Sequence, residues 1–263
     1  MPFSECSCGL TWWGKDLNSL RPAMWRCAQQ HADPNHLELK EGRASLNTTL
    51  FCIASHRGCH YHDTQLSKQL LDGGVPEDHV IVKYGVEHGT DAAMHFGRRV
   101  GFNGVCHFSM QHRWMRAVSE FLQGHPNTTC VVYIENNVIL EKNVRDILSA
   151  INQQPASKDV LWLAFIKIRA GSSGWNSANN PHHRPIIQGS KMIAFRGGGL
   201  KQTLRVLRRS RYQHLDHVLS KRISHRRIWH PRVSMGGYRG HWSTCSGHGK
   251  EKVWRPAFRV RQE

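Results

Sequence analysis

The sequence predicts an α/β protein with three layers, in which helices cover both faces of a mostly parallel, Rossmann-like central sheet. Short runs of β-branched and aromatic residues alternate with segments of helical periodicity along its 263 residues. Between positions 46 and 84 they form a strand–helix–strand unit, which implies parallel strands and a right-handed crossover. We predict one domain at 46–232, preceded by an N-terminal extension at 1–45 and followed by a basic C-terminal tail at 233–263.

The first unit begins with an apolar run from Leu46 to Ala54, which predicts a buried strand. Ser55-His56-Arg57-Gly58 ends it. A helix follows, with leucines at 66, 70 and 71 on one face and the Gly73-Gly74 pair as its stop. His79 to Tyr84 is predicted to be the second strand. The glycine-rich stretch at 85–106 then predicts a loop, and the spacing of apolar residues predicts a helix over 107–122.

The central stretch runs from Cys130 to Leu140. Its first half suits a strand buried on both faces, and it stops at three polar residues, Glu135, Asn136 and Asn137, before apolar residues resume. Open α/β sheets place their ligand crevice at the carboxyl ends of the strands. We therefore predict a ligand site at this tip, with a simple turn as the alternative because asparagine tolerates turn geometry.

The remainder continues the alternation of helices and strands. Apolar residues at 144, 147, 148 and 151 predict an amphipathic helix, and Val160 to Ile166 a strand. A long polar loop at 171–185 precedes a predicted strand from Ile186 to Phe195. Glycines at 197–199 then turn the chain into a helix with leucines at 200, 204 and 207, before the Leu215-Asp216-His217 segment.

The stretch Val132-Tyr133-Ile134-Glu135-Asn136-Asn137-Val138-Ile139-Leu140 resembles the donor-site motif of GT-A type nucleotide-sugar glycosyltransferases. In that family a buried strand ends in Asp-x-Asp or Glu-Asp-Asp, and here both aspartates are asparagines. The surrounding pattern is similar to the lipooligosaccharide/collagen group and to the N-acetylglucosaminyltransferase I group. The resemblance implies a GT-A fold. It also implies transfer of a hexosyl or N-acetylhexosaminyl group from a nucleotide-diphosphate donor to a hydroxyl of a glycan, protein or lipid.

The resemblance also implies a set of donor-binding residues. By their place at the end of the first strand, Ser55 and Arg57 would lie near the nucleotide. The motif itself would face the diphosphate. Independently of the resemblance, Arg232 and Arg239 in the basic C-terminal segment are candidates for neutralising the diphosphate without a metal.

A metal site is the point at which this sequence departs from the family. Mn²⁺ or Mg²⁺ would be held by Glu135 and Asn137, with His230 or His241 as a C-terminal ligand. Hard cations prefer charged oxygen ligands, so two amides in place of two carboxylates predict a weak site. Fixed cations could replace the metal in neutralising the leaving diphosphate.

The base that takes the acceptor proton is predicted to be Asp216, the only acid between Asp159 and Glu251. Glu135 is the alternative acid. The structural alternative is that Asp216 pairs with one of the neighbouring histidines or arginines.

The net charge is +17, and the segment from Lys201 to Glu263 holds 16 Lys or Arg against three acids. Such a segment favours a polyanionic partner: a nucleotide diphosphate, a nucleic acid or an acidic membrane surface. Nucleic acid is disfavoured because no helix-turn-helix, zinc-finger or RNA-binding signature is present. Two other functions stay open: a catalytically inactive relative kept for binding, and a basic nucleic-acid-binding protein.

The eight cysteines mostly stand singly in apolar runs, where a reduced cysteine is a small apolar residue. A zinc site at Cys6, Cys8, Cys27 and His31 is an alternative, although a one-residue gap between ligands is irregular.

No apolar run reaches the roughly 18–20 residues that span a bilayer. Residues 1–30 also lack a basic-then-apolar signal pattern. We expect a soluble protein that is cytoplasmic as written, or in the secretory pathway if a targeting segment is missing.

Overall fold

The computed structural model describes residues 3–5, 11–13, 37–55, 60–84, 114–115, 117–165, 167–169, 186–209, 215–231, 234–239 and 253–254. Its main feature is a six-stranded sheet in the order β11-β7-β10-β5-β3-β4. The strands are β3 (Thr49–Ser55), β4 (Val80–Tyr84), β5 (Cys130–Glu135), β7 (Val160–Ala164), β10 (Met192–Arg196) and β11 (Ile228–Trp229).

Five of the six strands run in the same direction. β3 is parallel to β4 and to β5, and β7 is parallel to β11. β10 alone is antiparallel, and it pairs with both β5 and β7. The predicted α/β class with a mostly parallel central sheet is therefore confirmed.

Within the described residues, five helices pack on this sheet. They are α1 (His60–Asp72), α2 (114–124, with 116 not described), α3 (Val144–Asn152), α4 (Gly199–Arg209) and α5 (Leu215–Arg222). Each predicted helix is present, and α2 continues two residues beyond its predicted end. The predicted start of α2, at 107–113, and the predicted loops at 85–106 and 171–185 lie outside the described residues.

Two apolar cores lie on opposite faces of the sheet, which gives the three predicted layers. Phe51 and Ile53 of β3 pack on one face with Leu66 and Leu70 of α1 and the apolar side of α3. Leu71, predicted to share the apolar face of this helix, is 40 % exposed instead. Leu50 and Cys52 point the other way, into a core with α2, α4 and α5. Successive residues of a strand face opposite sides, so a strand covered on both sides must be apolar throughout.

Three smaller sheets complete the description. β1 (Phe3–Glu5) pairs with β2 (Thr11–Trp13), and β8 (Lys167–Arg169) pairs with β9 (Ile186–Gln188). β12 (Gly236–Arg239) lies between β13 (Val253–Trp254) and β6 (Val138–Leu140). The β12 segment, placed by the sequence in a basic tail, thus forms a strand beside the residues that follow Asn137.

Four predicted strands have different bounds. β4 starts at Val80 because His79 belongs to a 3₁₀ turn, and β7 ends at Ala164, before the predicted end at 166. The predicted strand from Leu46 begins with a 3₁₀ turn, Leu46–Thr48, and β3 starts at Thr49. The single strand predicted from Ile186 to Phe195 is wrong, because the segment forms β9 and β10 in two different sheets. Gly189 lies between them with φ of 84°, a conformation that favours glycine and breaks the extended chain.

Cys52 and Cys130 are free thiols within the buried strands. Burial raises the pKa of the Cys130 thiol to about 12, so this thiol remains protonated and unreactive. The interpretation of these cysteines as small apolar residues agrees with their position. No helix in the described part of the chain is long and apolar enough to cross a membrane.

Arg196 ends β10 and fixes the chain that follows α3. Its Nε donates to Lys158 O (2.9 Å), its Nη1 to Ile151 O (3.0 Å), and its Nη2 to Gln154 O (2.7 Å) and to Pro155 O. Carbonyls at the end of a helix have no partner within it. The guanidinium therefore satisfies several acceptors at once and places a positive charge at the negative end of the helix dipole.

We predict that Arg196→Met lowers the free energy of unfolding by about 2–4 kcal/mol, because several half-buried carbonyls lose a charged donor. Urea unfolding followed by circular dichroism measures the change. Arg145→Met on the exposed face of α3 is the matched control and should change stability by less than about 0.5 kcal/mol. Equal losses in the two variants would contradict the assigned role.

Candidate functional site

The tip of β5 consists of Glu135, Asn136 and Asn137, all three of which are buried. The strand ends at Glu135, and the two asparagines form a turn that leads into β6. The turn expected as the alternative interpretation is thus present. The two amide side chains are nevertheless held inside the protein, so a solvent-exposed turn does not describe them.

The tip lies where the chain connections of the sheet diverge. From β3 the chain passes through α1 to β4 on one side, and from β5 it passes through α3 to β7 on the other. In open α/β sheets the carboxyl ends of two such strands border the ligand crevice. The candidate site is therefore at the topological switch point of this sheet.

Ser55 ends β3 and contacts the tip directly. Asn136 Nδ2 donates to Ser55 Oγ at 3.1 Å, and the Asn136 backbone N donates to Ala54 O at 3.0 Å. The parallel register pairs Ala54 with Glu135, which brings the two strand ends level. Of the predicted donor-binding residues, the structure brings Ser55, Glu135, Asn136 and Asn137 together.

Lys191 completes the cluster, and no motif in the sequence predicts its place there. It is 4 % exposed, it forms a salt bridge with the carboxylate of Glu135, and its Nζ donates to Asn137 Oδ1 at 3.3 Å. Ser190 Oγ donates to the other carboxylate oxygen of Glu135 at 3.1 Å. The Glu135 backbone N donates to Lys191 O at 2.9 Å, which fixes the two chain segments to each other.

The direction of β10 explains the position of Lys191. Because β10 is antiparallel to β5, its first residues lie beside the last residues of β5, and Met192 pairs with Ile134. The residue just before β10 therefore adjoins the residue just after Ile134. A parallel strand in this place would have brought its carboxyl end there instead.

The ammonium of Lys191 donates hydrogen bonds to the oxygen atoms that a divalent cation would need as ligands. Glu135 is the one acid of the motif, and both its carboxylate and the Asn137 carbonyl accept hydrogen bonds from Lys191. Mn²⁺ or Mg²⁺ would have to displace a positive charge from a site with a single carboxylate. These residues do not fit the metal that the GT-A resemblance implies.

His230, the other described residue of the predicted metal set, follows β11. It is half-buried, its Nδ1 lies 3.2 Å from Pro231 O, and its ring makes an edge contact with Phe165 at 6.3 Å between centroids. Two strands separate β11 from β5 in the sheet, which corresponds to about 14 Å between the strand axes. His230 thus does not lie on a strand adjoining Glu135.

The remaining predicted site residues are described in part or not at all. Asp216 lies in α5 and Arg239 in β12, but their side chains are outside the described residues. Arg57, Arg232 and His241 lie wholly outside them, as do the four residues of the predicted zinc site. The backbone of β12 pairs with β6, with Tyr238 opposite Val138, so the segment carrying Arg239 passes next to the tip.

Comparison with known proteins gives a distant likeness among solved structures. No protein-family model matches the sequence, and no curated protein matches it. Among solved structures, the fold is similar to the crystal structure of a glycosyltransferase involved in the glycosylation of the major capsid of PBCV-1, with a TM-score of 0.40 and 10 % identity. The likeness covers 69 % of this chain and 82 % of that chain. At this level it identifies neither donor, acceptor nor catalytic residues.

We predict that either single substitution in the buried ion pair is far more damaging than the double one. Glu135→Gln or Lys191→Met alone leaves an unpaired buried charge and should lower the free energy of unfolding by about 3–5 kcal/mol. The double variant removes both charges and should lose less than either single variant. Urea unfolding of all three in a double-mutant cycle measures the coupling.

Glu77→Gln on an exposed 3₁₀ turn is the control and should change stability by less than about 0.5 kcal/mol. Additive losses in the cycle would show that Glu135 and Lys191 do not act as a pair.

Proposed function

We propose that this chain binds the diphosphate of a nucleotide sugar at the carboxyl ends of β3 and β5 and transfers the sugar to a hydroxyl acceptor. The observation that carries the proposal is the buried polar cluster at the switch point. Ser55, Asn136, Asn137, Glu135 and Lys191 gather where an α/β sheet of this topology binds its ligands.

In this proposal Lys191 supplies the positive charge that a metal supplies in the GT-A family. When the bond between the sugar C1 and the phosphate oxygen breaks, its electron pair stays on the diphosphate. A cation fixed in advance stabilises that growing charge without reorganisation. Glu135 and Asn137 hold the ammonium in position, so the acid of the motif orients a cation of the protein.

The basic C-terminal segment, with 16 Lys or Arg against three acids from Lys201 to Glu263, supports the same role. Its charge attracts an anionic donor and raises the rate of encounter. Arg57 is assigned here to the nucleotide, and Arg232 and Arg239 to the donor phosphates. The backbone of Arg239 lies in β12, beside the strand that follows the tip.

Asp216 is assigned as the base. The acceptor oxygen forms the new bond to C1, and its proton passes to the Asp216 carboxylate. Overall one C–O bond breaks and one forms, with the diphosphate as the leaving group. No oxidant or reductant is involved.

A second candidate function is a binding protein of the same ancestry without transferase activity. Glu135 and Lys191 neutralise each other, and the amides of the tip bond to protein groups. Such a cluster is also what a site kept for binding alone would contain. Nucleotide binding without hydrolysis of any nucleotide sugar would select this candidate.

We predict that uridine or guanosine diphosphate binds without a divalent metal. In calorimetry, replacing Mn²⁺ by EDTA should change the dissociation constant less than twofold. The Glu135→Gln/Lys191→Met variant, which keeps the site free of an unpaired charge, should bind about 10-fold to 100-fold more weakly, the range expected for loss of one charged hydrogen bond.

Lys68→Met on the exposed face of α1 is the charge-matched control and should leave binding unchanged. Absence of binding by both nucleotides at millimolar concentration would overturn the proposal.

We also predict that restoring the family's acids does not by itself restore a metal site. Asn136→Asp/Asn137→Asp should show no Mn²⁺-dependent nucleotide binding while Lys191 remains, because the ammonium competes for the same oxygens. Adding Lys191→Met should produce Mn²⁺ dependence. Calorimetry of both variants, each with Mn²⁺ and with EDTA, tests this. Mn²⁺ dependence in the first variant would show that Lys191 does not occupy the cation position.

A further inference from the structure

A second cluster of polar side chains lies at the opposite end of the sheet. Asp78 and His79 end the 3₁₀ turn Glu77–His79, which leads into β4, and His125 lies just after α2, shortly before β5. One ligand atom from each of the three side chains lies within 4.8 Å of the others. The cluster is at the amino ends of β4 and β5, whereas the proposed donor site is at the carboxyl ends of β3 and β5.

The ring orientation of His79 is fixed by the backbone. Its side chain is buried, and its Nδ1 lies 3.0 Å from Thr49 O. A carbonyl oxygen can only accept a hydrogen bond, so Nδ1 carries the hydrogen. The lone pair of a neutral His79 is then on Nε2.

His125 is held in the same way. Its Nδ1 lies 3.1 Å from Phe121 O, and its ring stacks on the Phe121 ring with 3.9 Å between centroids and 5° between planes. The two histidine rings meet edge to face, with 5.2 Å between centroids. Both imidazoles therefore donate from Nδ1 to a backbone carbonyl, as histidines commonly do when their other ring nitrogen binds a metal.

The contact between His125 and Asp78 requires a positive charge. His125 Nε2 lies 3.3 Å from Asp78 Oδ2, and a carboxylate oxygen accepts hydrogen bonds but does not donate them. With the hydrogen of a neutral ring on Nδ1, two lone pairs face each other. Either a second proton on His125 or a metal ion must lie between these atoms.

We propose that Asp78, His79 and His125 bind a divalent transition metal, with zinc as the best fit. Two imidazole nitrogens and one carboxylate are ligands that zinc accepts, and three protein ligands leave the fourth tetrahedral position to water. The Asp78 side chain is 66 % exposed, so the ion has access from solvent. The site is distinct from the donor site and from the cysteine-based zinc site considered from the sequence.

The ion would join two segments that are 47 residues apart in the chain. It would fix the turn before β4 to the end of α2, at the edge strand of the central sheet. A ligand that binds only the folded protein stabilises it by mass action. The site is therefore expected to stabilise the fold and to take no part in sugar transfer.

The test compares thermal unfolding of the full chain with and without zinc chloride after treatment with a chelator. At zinc concentrations about a hundredfold above the dissociation constant, the wild-type midpoint should rise by about 5 °C. Asp78→Asn and His125→Gln should each lose most of this rise. Asp72→Asn, an exposed carboxylate at the end of α1, is the matched control and should keep it.

Calorimetry with zinc separates this site from binding by the other histidines and cysteines of the chain. One binding event should disappear in Asp78→Asn and in His125→Gln, while the rest are unchanged. An equal zinc response in wild type and in both variants would overturn the proposal. A second result would also overturn it: acid raises the unfolding midpoint in wild type but not in the two variants, and zinc raises it in none of them. The cation between Asp78 and His125 would then be a proton.

Discussion

The apolar sides of helices cover both faces of the central sheet, and this constraint decides where the protein can place polar chemistry. Strands such as β3, β5 and β7 are buried along their whole length, so no polar side chain can stand in their middle without a partner. A cluster of several polar side chains therefore finds room at the strand ends. The proposed donor site and the proposed zinc site lie at the two opposite ends of the same sheet.

The buried pair of Glu135 and Lys191 is costly for the fold, because removing two charges from water is repaid only when the geometry and the remaining hydrogen bonds are good. Here Ser190 and Asn137 supply the additional bonds. A pair of apolar residues of the same volume would have met the packing requirement with no desolvation cost. The presence of two charged side chains at the switch point therefore favours a functional explanation of the pair over a structural one.

The strands and helices with strong periodicity could be predicted from the sequence. So could the part of the candidate site that Ser55 and the tip of β5 form. Ser55 and the tip were predictable together, because parallel neighbouring strands bring their carboxyl ends to the same edge. Lys191 was not predictable, because an apolar run does not reveal whether its strand runs parallel or antiparallel. The interruption of that run by Gly189, Ser190 and Lys191 is the available signal of a break, but the apolar residues on both sides of it predict one continuous strand.

The zinc cluster shows the same limit more strongly. His79 and His125 are single histidines in unrelated segments, without the short ligand spacing that marks a zinc motif. Only the packing of α2 against the start of β4 brings them together. Their role depends on which ring nitrogen faces a backbone carbonyl, and no sequence pattern encodes that directly.

β10 is held by a cation at each of its ends, since Lys191 precedes it and Arg196 closes it. A slip of this strand by one residue would turn its apolar side chains to the wrong faces. A slip by two would preserve the faces, but it would carry the ammonium away from Glu135 and the guanidinium away from the carbonyls after α3. The two basic anchors thus exclude the one misalignment that hydrophobic patterning alone would tolerate.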